Sequence, residues 1–210
     1  DAQHTAKSPY TGPETSNVKW IFDSGELSYA PTISSDGTIY LTSANGLRAI
    51  NPDGTQKWLY EIQWTAGTPT IDEQGTVYVV FFQGIAAINP DNTLKWQNSL
   101  PVVYASTTNP VIGQDGKIYL IAGYTFPDST NRLCLITVTP QGAMNCLYQI
   151  EEQAPGFILQ LTPPTIDLAG TIYFGYNYQF FAIDSNGILK WKLDFPNYPI
   201  TPATISSDGT

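Results

Sequence analysis

Short apolar runs, each bounded by Gly, Pro, Asn or Asp, succeed one another along almost the whole chain. Such punctuation predicts many strands joined by tight turns. Around Thr38-Ile39-Tyr40-Leu41-Thr42 residue types alternate, but the apolar run is nearly continuous, as expected for a sheet covered on both faces. The first unit reads as strands at about 28–34, 38–43, 47–51 and 56–62. Its turns are Asp36-Gly37, Asn45-Gly46 and Pro52-Asp53-Gly54. These dipeptides supply the positive φ angles that short hairpins require.

The pattern then repeats. Ser34-Ser35-Asp36-Gly37-Thr38-Ile39-Tyr40 returns as Glu73-Gln74-Gly75-Thr76-Val77-Tyr78, as Gln114-Asp115-Gly116-Lys117-Ile118-Tyr119 and as Leu168-Ala169-Gly170-Thr171-Ile172-Tyr173. A fifth copy begins at Ser207-Asp208-Gly209-Thr210. An Ile stands four residues before each Gly: Ile33, Ile71, Ile112, Ile166 and Ile205. A second element follows in phase. Ala49 precedes Trp58 by nine residues, Ala87 precedes Trp96 by nine, and Ala182 precedes Trp191 by nine. The third copy carries Thr137 and Cys146 at those places.

A four-stranded antiparallel sheet recurring about every forty residues is the signature of a β-propeller. One such sheet cannot bury both its faces, but neighbouring blades stacked face to face can. The recurrent Trp opposite a small Ala is then a docking pair between blades, which gives Trp58, Trp96 and Trp191 a structural role. Trp20 joins them as part of an isolated outer strand at 17–23. The expected organisation is an N-terminal tail at 1–16 and an all-β propeller over 17–210. Its full blades lie at about 27–62, 66–98, 108–150 and 162–193, and a further blade starts at 201–210. Four full blades with partial terminal pieces need completion. Either more of the same polypeptide or a second chain supplies the remaining strands, because an open edge strand invites aggregation.

Ala49, Gly54 and Trp58, then Ala87 and Trp96, then Ala182, Asp184, Gly187 and Trp191 resemble the Ala-x-Asp, Gly and Trp that close each blade in the PQQ-like (quinoprotein-like) propeller repeats. The resemblance covers about residues 17–210. It implies the scaffold and not the cofactor. The Ala-to-Trp spacing is one residue shorter than in the dehydrogenase repeats, and Asn replaces Asp in two copies. The quinone enzymes of that family use an adjacent Cys-Cys pair, a Ca²⁺ site and a catalytic Asp. Here Cys134 and Cys146 are far apart, and no Ca²⁺ ligand set is found. The family's non-catalytic members include protein-interaction scaffolds of bacterial envelopes. No cofactor is expected.

Composition narrows the partners. A formal charge of −9, from 18 acidic and 9 basic residues, disfavours DNA or an anionic membrane surface. No stretch approaches a membrane span in length. Cys134 and Cys146 flank the Pro140-Gln141-Gly142 turn almost symmetrically, and the expected outcome is a disulfide that replaces the Trp pack of the third blade. A disulfide fits an oxidising compartment, secreted or in the cell envelope, where Asp1 reads as a processed terminus. The alternative is a pair of buried thiols.

No constellation of catalytic residues is found. His4, the single histidine, lies in a polar stretch with no orienting partner in sight. Asp36-Gly37 and Asp53-Gly54 read as turn chemistry and not as calcium loops. Glu151 and Glu152 read as the start of a solvated loop. The most suggestive surface is the face carrying the connectors between blades and the loops between second and third strands. Trp64, Tyr104, Phe157 and Tyr198, with Tyr29, lie on connectors; Tyr124, Phe126, Tyr176 and Tyr178, with Phe82, lie on the other loops. Grouped aromatics of this kind mark a binding surface when exposed, or packing when they tuck between blades.

The functional expectation is a non-enzymatic binding or scaffold module for a protein or glycan. One alternative is a piece of a PQQ-dependent dehydrogenase whose catalytic blades lie elsewhere. Another is a structural subunit of a surface fibre or matrix.

Overall fold

The structure, a computed structural model, describes residues 17–25, 29–82, 84–100, 107–151, 160–195 and 200–205. Sixteen strands form four antiparallel sheets, each a sequential meander. The first sheet holds β1 (Thr32–Ile33), β2 (Ile39–Ser43), β3 (Gly46–Ile50) and β4 (Gln56–Glu61). The second holds β5 (Thr65–Ile71), β6 (Val77–Phe81), β7 (Gly84–Ile88) and β8 (Leu94–Ser99). The third holds β9 (Val111–Ile112), β10 (Ile118–Thr125), β11 (Asn131–Val138) and β12 (Met144–Gln149). The fourth holds β13 (Thr165–Ile166), β14 (Ile172–Tyr176), β15 (Gln179–Ile183) and β16 (Leu189–Asp194). The four blades form an open array, without ring closure among the described residues.

The first strand of the first blade is shorter than the 28–34 expected, and the first strands of the third and fourth blades are as short. β1, β9 and β13 pair over two residues each. Pro31, Pro110 and Pro164 stand just before them and offer no N–H to a ladder. Residues 17–25, expected to begin as an outer strand, pair with no strand among the described residues.

Turn chemistry sets the strand ends. In the first blade Asp36 accepts the Thr38 main-chain N–H at 2.9 Å and the Thr38 hydroxyl at 3.0 Å, while Gly37 takes φ 81°. The two carboxylate oxygens are thus used within the turn. In Asp53 and Asp91 a single oxygen, Oδ1, accepts both the main-chain N–H and the hydroxyl of Thr55 and Thr93.

Apolar clusters lie between blades, not within them. Ala49 and Tyr40 of the first blade meet Val77, Val79, Ala86 and Ile88 of the second. Tyr78, Val80 and Ala87 of the second meet Ile118, Leu120 and Ile136 of the third. Tyr119, Ile121 and Leu135 of the third meet Ile172, Phe174 and Phe181 of the fourth. Every blade therefore has a trailing face, toward the preceding blade, and a leading face, toward the next.

Two bonds recur across these junctions. At the outer edge, Trp20, Trp58 and Trp96 donate their indole N–H to the main-chain carbonyls of Pro52, Pro90 and Pro140, at 3.0, 3.1 and 2.9 Å. Each acceptor begins the turn between the third and fourth strands of the next blade. At the inner edge, Thr32 donates its hydroxyl to the Pro69 carbonyl at 2.6 Å, and Thr70 donates to the Pro110 carbonyl. Within the sheets Ala49 pairs with Trp58, Ala87 with Trp96 and Ala182 with Trp191. Gly54 shows why the turn carries glycine: a Cβ there would lie 2.7 Å from the Trp20 indole, and φ is 91°.

The third blade departs from the expectation. Cys134 and Cys146 form a disulfide, with Cα atoms 5.6 Å apart, but it does not take the place of the Trp pack. In the other blades a bulge sits between the docking Ala and the Ile that follows it. In the third it falls two residues earlier in β11, between Leu135 and Ile136. Cys146 therefore lies opposite Ile136 and packs into the cluster shared with the second blade. Moving a bulge past a residue turns that side chain to the other face. The residue that abuts the next blade's turn is Leu147, whose carbonyl and side chain stand under Gly187.

Candidate functional site

The connectors and the loops between second and third strands do emerge together. The Trp64 N–H donates to the Ala44 carbonyl of the first blade at 3.3 Å, and the Phe82 N–H of the second blade donates to the Trp64 carbonyl at 2.8 Å. Trp64 is thus pinned from both sides. Its backbone sits at φ 60°, a left-handed conformation that is costly for a bulky residue. Its side chain is nevertheless 70% exposed, beside Phe82 at 58%. The indole is largely open to solvent.

Further round the same face, the Phe195 N–H donates to the Tyr178 carbonyl at 2.7 Å, and both rings are exposed. Tyr29 is exposed as well. In the third blade β10 and β11 extend beyond their counterparts and carry a different cluster. Tyr124 meets Phe126 edge to face at 5.3 Å, and the Arg132 guanidinium lies 4.8 Å from the Phe126 ring centre. Arg132 is held by Asp128 at 3.0 Å and Gln149 at 3.1 Å. Beside Tyr124 a groove of about 290 Å³ runs between the second and third blades, with Asn98, Ser99, Thr125 and Met144 along it.

The expected face is therefore only partly assembled from the residues named for it. Trp64 and Tyr178 are exposed, whereas Tyr124 and Phe126 are half-buried. Tyr176 is 1% exposed and belongs to the core between third and fourth blades, so packing and not recognition explains it. Tyr104, Phe157 and Tyr198 lie outside the described residues, as does His4. Phe195 was not singled out by the sequence reading. It follows a strand as a lone aromatic, and only the hydrogen bond to Tyr178 places it on this face.

Titratable groups form structural pairs on the blades. Tyr78, Tyr119 and Tyr173 donate to Asp72, Asp115 and Asp167 at 2.8, 2.9 and 3.0 Å. Burial, reinforced by the neighbouring carboxylate, raises all three phenols above their ordinary value. Burial pushes the Asp115 carboxyl up, but bonds from Lys117 and Tyr119 outweigh it and hold the group below the usual range. Asp36 is held well below that range, chiefly by the Ser34 hydroxyl and then by the Thr38 N–H. Each carboxylate in these sets is consumed by its own turn. Among the described residues no group of three or more His, Cys, Asp or Glu is placed to hold a metal ion.

No family model matches the chain, and no curated protein matches it. Solved structures do. The extracellular domain of a putative one component system from B. thetaiotaomicron aligns over 87% of this chain and 24% of its own, with 15% identity and a TM-score of 0.65. BamB from Moraxella catarrhalis aligns over 90% of this chain and 56% of its own, with 14% identity and a TM-score of 0.57. A calcium-binding protein, regucalcin, from Agrobacterium tumefaciens aligns over 84% and 63%, with 14% identity and a TM-score of 0.57. The chain thus spans just over half of the BamB chain and a quarter of the extracellular domain. At these identities the likeness is one of fold: blades of a β-propeller.

Proposed function

We propose that this protein is a non-enzymatic binding module of a secreted or cell-envelope compartment, which holds a protein or glycan partner on the connector face through Trp64 and Phe82. The observation that carries the reading is the presentation of Trp64. A large indole is lifted into solvent on a left-handed backbone fixed by two main-chain bonds. Strain of this kind persists where the surrounding structure imposes it, and it clusters at ligand-contacting positions. Aromatic side chains, with only two rotatable angles, lose little conformational entropy when covered, which suits them to anchor an interface. The extended third-blade hairpin, with half-buried Tyr124 and Phe126 and the Arg132 guanidinium over the Phe126 ring, supplies a second wall.

Asp36, Asp53, Asp72, Asp91, Asp115 and Asp167 are engaged in their own turns, and among the described residues no group of three or more His, Cys, Asp or Glu comes together, which supports a binding role over catalysis. The disulfide agrees with an oxidising compartment, and an extracellular domain is among the similar structures. The test is a double variant, Trp64→Ala with Tyr124→Ala, assayed against panels of cell-surface glycans and purified envelope proteins. Saturable binding by the parent and its loss in a variant that melts normally is the expected result. Equal binding by both would remove this face as the site.

A further inference from the structure

The groove between the second and third blades departs from the repeat at both of its walls. On the second blade it is lined by Asn98 and Ser99, at the end of β8. Counted from the tryptophan of each outer strand, the same two places hold Tyr60 and Glu61 in the first blade and Leu193 and Asp194 in the fourth. The ladders give the same equivalence: Leu47, Ile85 and Phe180 pair with Tyr60, Asn98 and Leu193. Tyr60 packs against the cluster between the first and second blades. Asn98 is too short to fill the corresponding space, and a cleft of about 290 Å³ remains. Where this cleft opens, an amide thus replaces a large apolar side chain, and a hydroxyl replaces a carboxylate.

On the third blade the wall comes from Tyr124 and Thr125, in the stretch of β10 that extends beyond its counterparts. Both walls are fixed. Asn98 donates its amide Nδ2 to the Gly142 carbonyl at 2.6 Å, which ties one blade to the other across the cleft. The Tyr124 ring is braced edge to face by Phe126. Thr125 donates its hydroxyl to Asn131 Oδ1 at 2.9 Å, so its oxygen remains as an acceptor. A site held in shape before its ligand arrives binds at lower entropic cost.

We propose that this cleft takes one sugar ring of a neutral glycan, which names the partner class of the binding module and rests on that reading. A pyranose has an apolar C–H face and a rim of uncharged hydroxyls. The cleft answers both, with the Tyr124 ring and the Met144 thioether for the first and the amide and hydroxyls of Asn98, Ser99 and Thr125 for the second. None of its lining residues is charged. An anionic ligand would find no free cation beside it, because Arg132 is engaged by Asp128 and Gln149. The volume stands near the lower end of small-ligand clefts, about 300–1,000 Å³, which suits one ring and not a folded partner.

The test compares the parent with Asn98→Tyr, Asn98→Leu and Trp64→Ala. Each is assayed for binding to neutral oligosaccharides ending in glucose, galactose, mannose or N-acetylglucosamine, and to purified envelope proteins. Asn98→Tyr installs the residue of the first blade and fills the cleft. Asn98→Leu keeps nearly the asparagine shape and removes only its hydrogen bonds, so it serves should the tyrosine variant fail to fold. The expected result is saturable binding of at least one oligosaccharide by the parent. Its affinity falls tenfold or more in either folded Asn98 variant. Undiminished glycan binding by the folded Asn98 variants, or no glycan bound by the parent, would overturn the proposal. A protein partner lost in Trp64→Ala but kept in the Asn98 variants would overturn it while leaving the connector face as the binding site. Absence of any saturable partner would remove both.

Discussion

The Trp58 indole donates its N–H to the Pro90 carbonyl, 3.1 Å away on the next blade, and this bond, with Ala49 opposite the ring, reports how the repeats cohere. In repeat architectures stability is a sum of units and nearest-neighbour junctions. Trp58→Ala removes both the packing and the bond at a filled junction, and a cost of about 3 kcal/mol is expected. Trp191→Ala removes the same residue type from an exposed position, with an expected cost below about 1 kcal/mol. Urea unfolding of the two variants checks the contrast. Equal costs would contradict the junction account.

The third junction makes a second prediction. Gly187 faces the Leu147 carbonyl, and its φ is 84°; Gly116 has φ 74° and open space around it. Both alanine variants bear the backbone strain, but only Gly187→Ala also pushes into the neighbouring blade. Gly187→Ala is expected to be the less stable by about 1–3 kcal/mol, measured as the difference in unfolding midpoints at constant m-value.

The disulfide joins Cys134 to Cys146 across β11 and β12, closing a short loop. Replacement of both by Ala is expected to cost about 2–3 kcal/mol through the greater freedom of the unfolded chain. Since Cys146 faces the second blade, Cys146→Trp should overpack that core and destabilise the protein. A Cys134→Ala, Cys146→Trp protein more stable than the double alanine variant would show that position 146 faces the fourth blade after all.

Alkali supplies a further test. Burial, then the Asp72 and Asp115 carboxylates, raise the Tyr78 and Tyr119 phenols above the ordinary value of about 10. A raised value in the folded state means that their contribution is complete below about pH 10 and is lost as the pH climbs beyond it. Unfolding midpoints should fall as the pH rises above about 10, and Tyr78→Phe should make that fall shallower. A midpoint indifferent to pH over this range would contradict the pairing.

The repeat was legible because each junction uses residues at fixed offsets. The Ala-to-Trp spacing and the Asp-Gly turns locate the strands of each blade within a residue or two, as in β2 to β4. The reach of the first strand, expected over about 28–34, was overestimated: its ladder holds only at Thr32 and Ile33, after Pro31, which has no N–H to offer. The orientation of Cys146 was not legible, because the bulge between Leu135 and Ile136 leaves no mark in residue type. Of the aromatic face, Trp64 and Tyr178 were recognisable from their loop positions. Tyr176 was misplaced because it ends β14 with its side chain inward, and a one-residue step separates it from the turn.

The strain at Trp64 gives a prediction that stability and function will move in opposite directions. Trp64→Gly relieves the left-handed backbone and is expected to leave the protein as stable as the parent or up to about 1 kcal/mol more so.

The most direct measurement of the binding account is therefore the affinity of Trp64→Gly, beside its melting curve, for whichever glycan or envelope protein the parent binds saturably. The account predicts a folded, undiminished melt and a loss of affinity of tenfold or more, the share of a hot-spot aromatic. Parent-like affinity in the folded variant, or no saturable binding by the parent to any member of the panels, would contradict it.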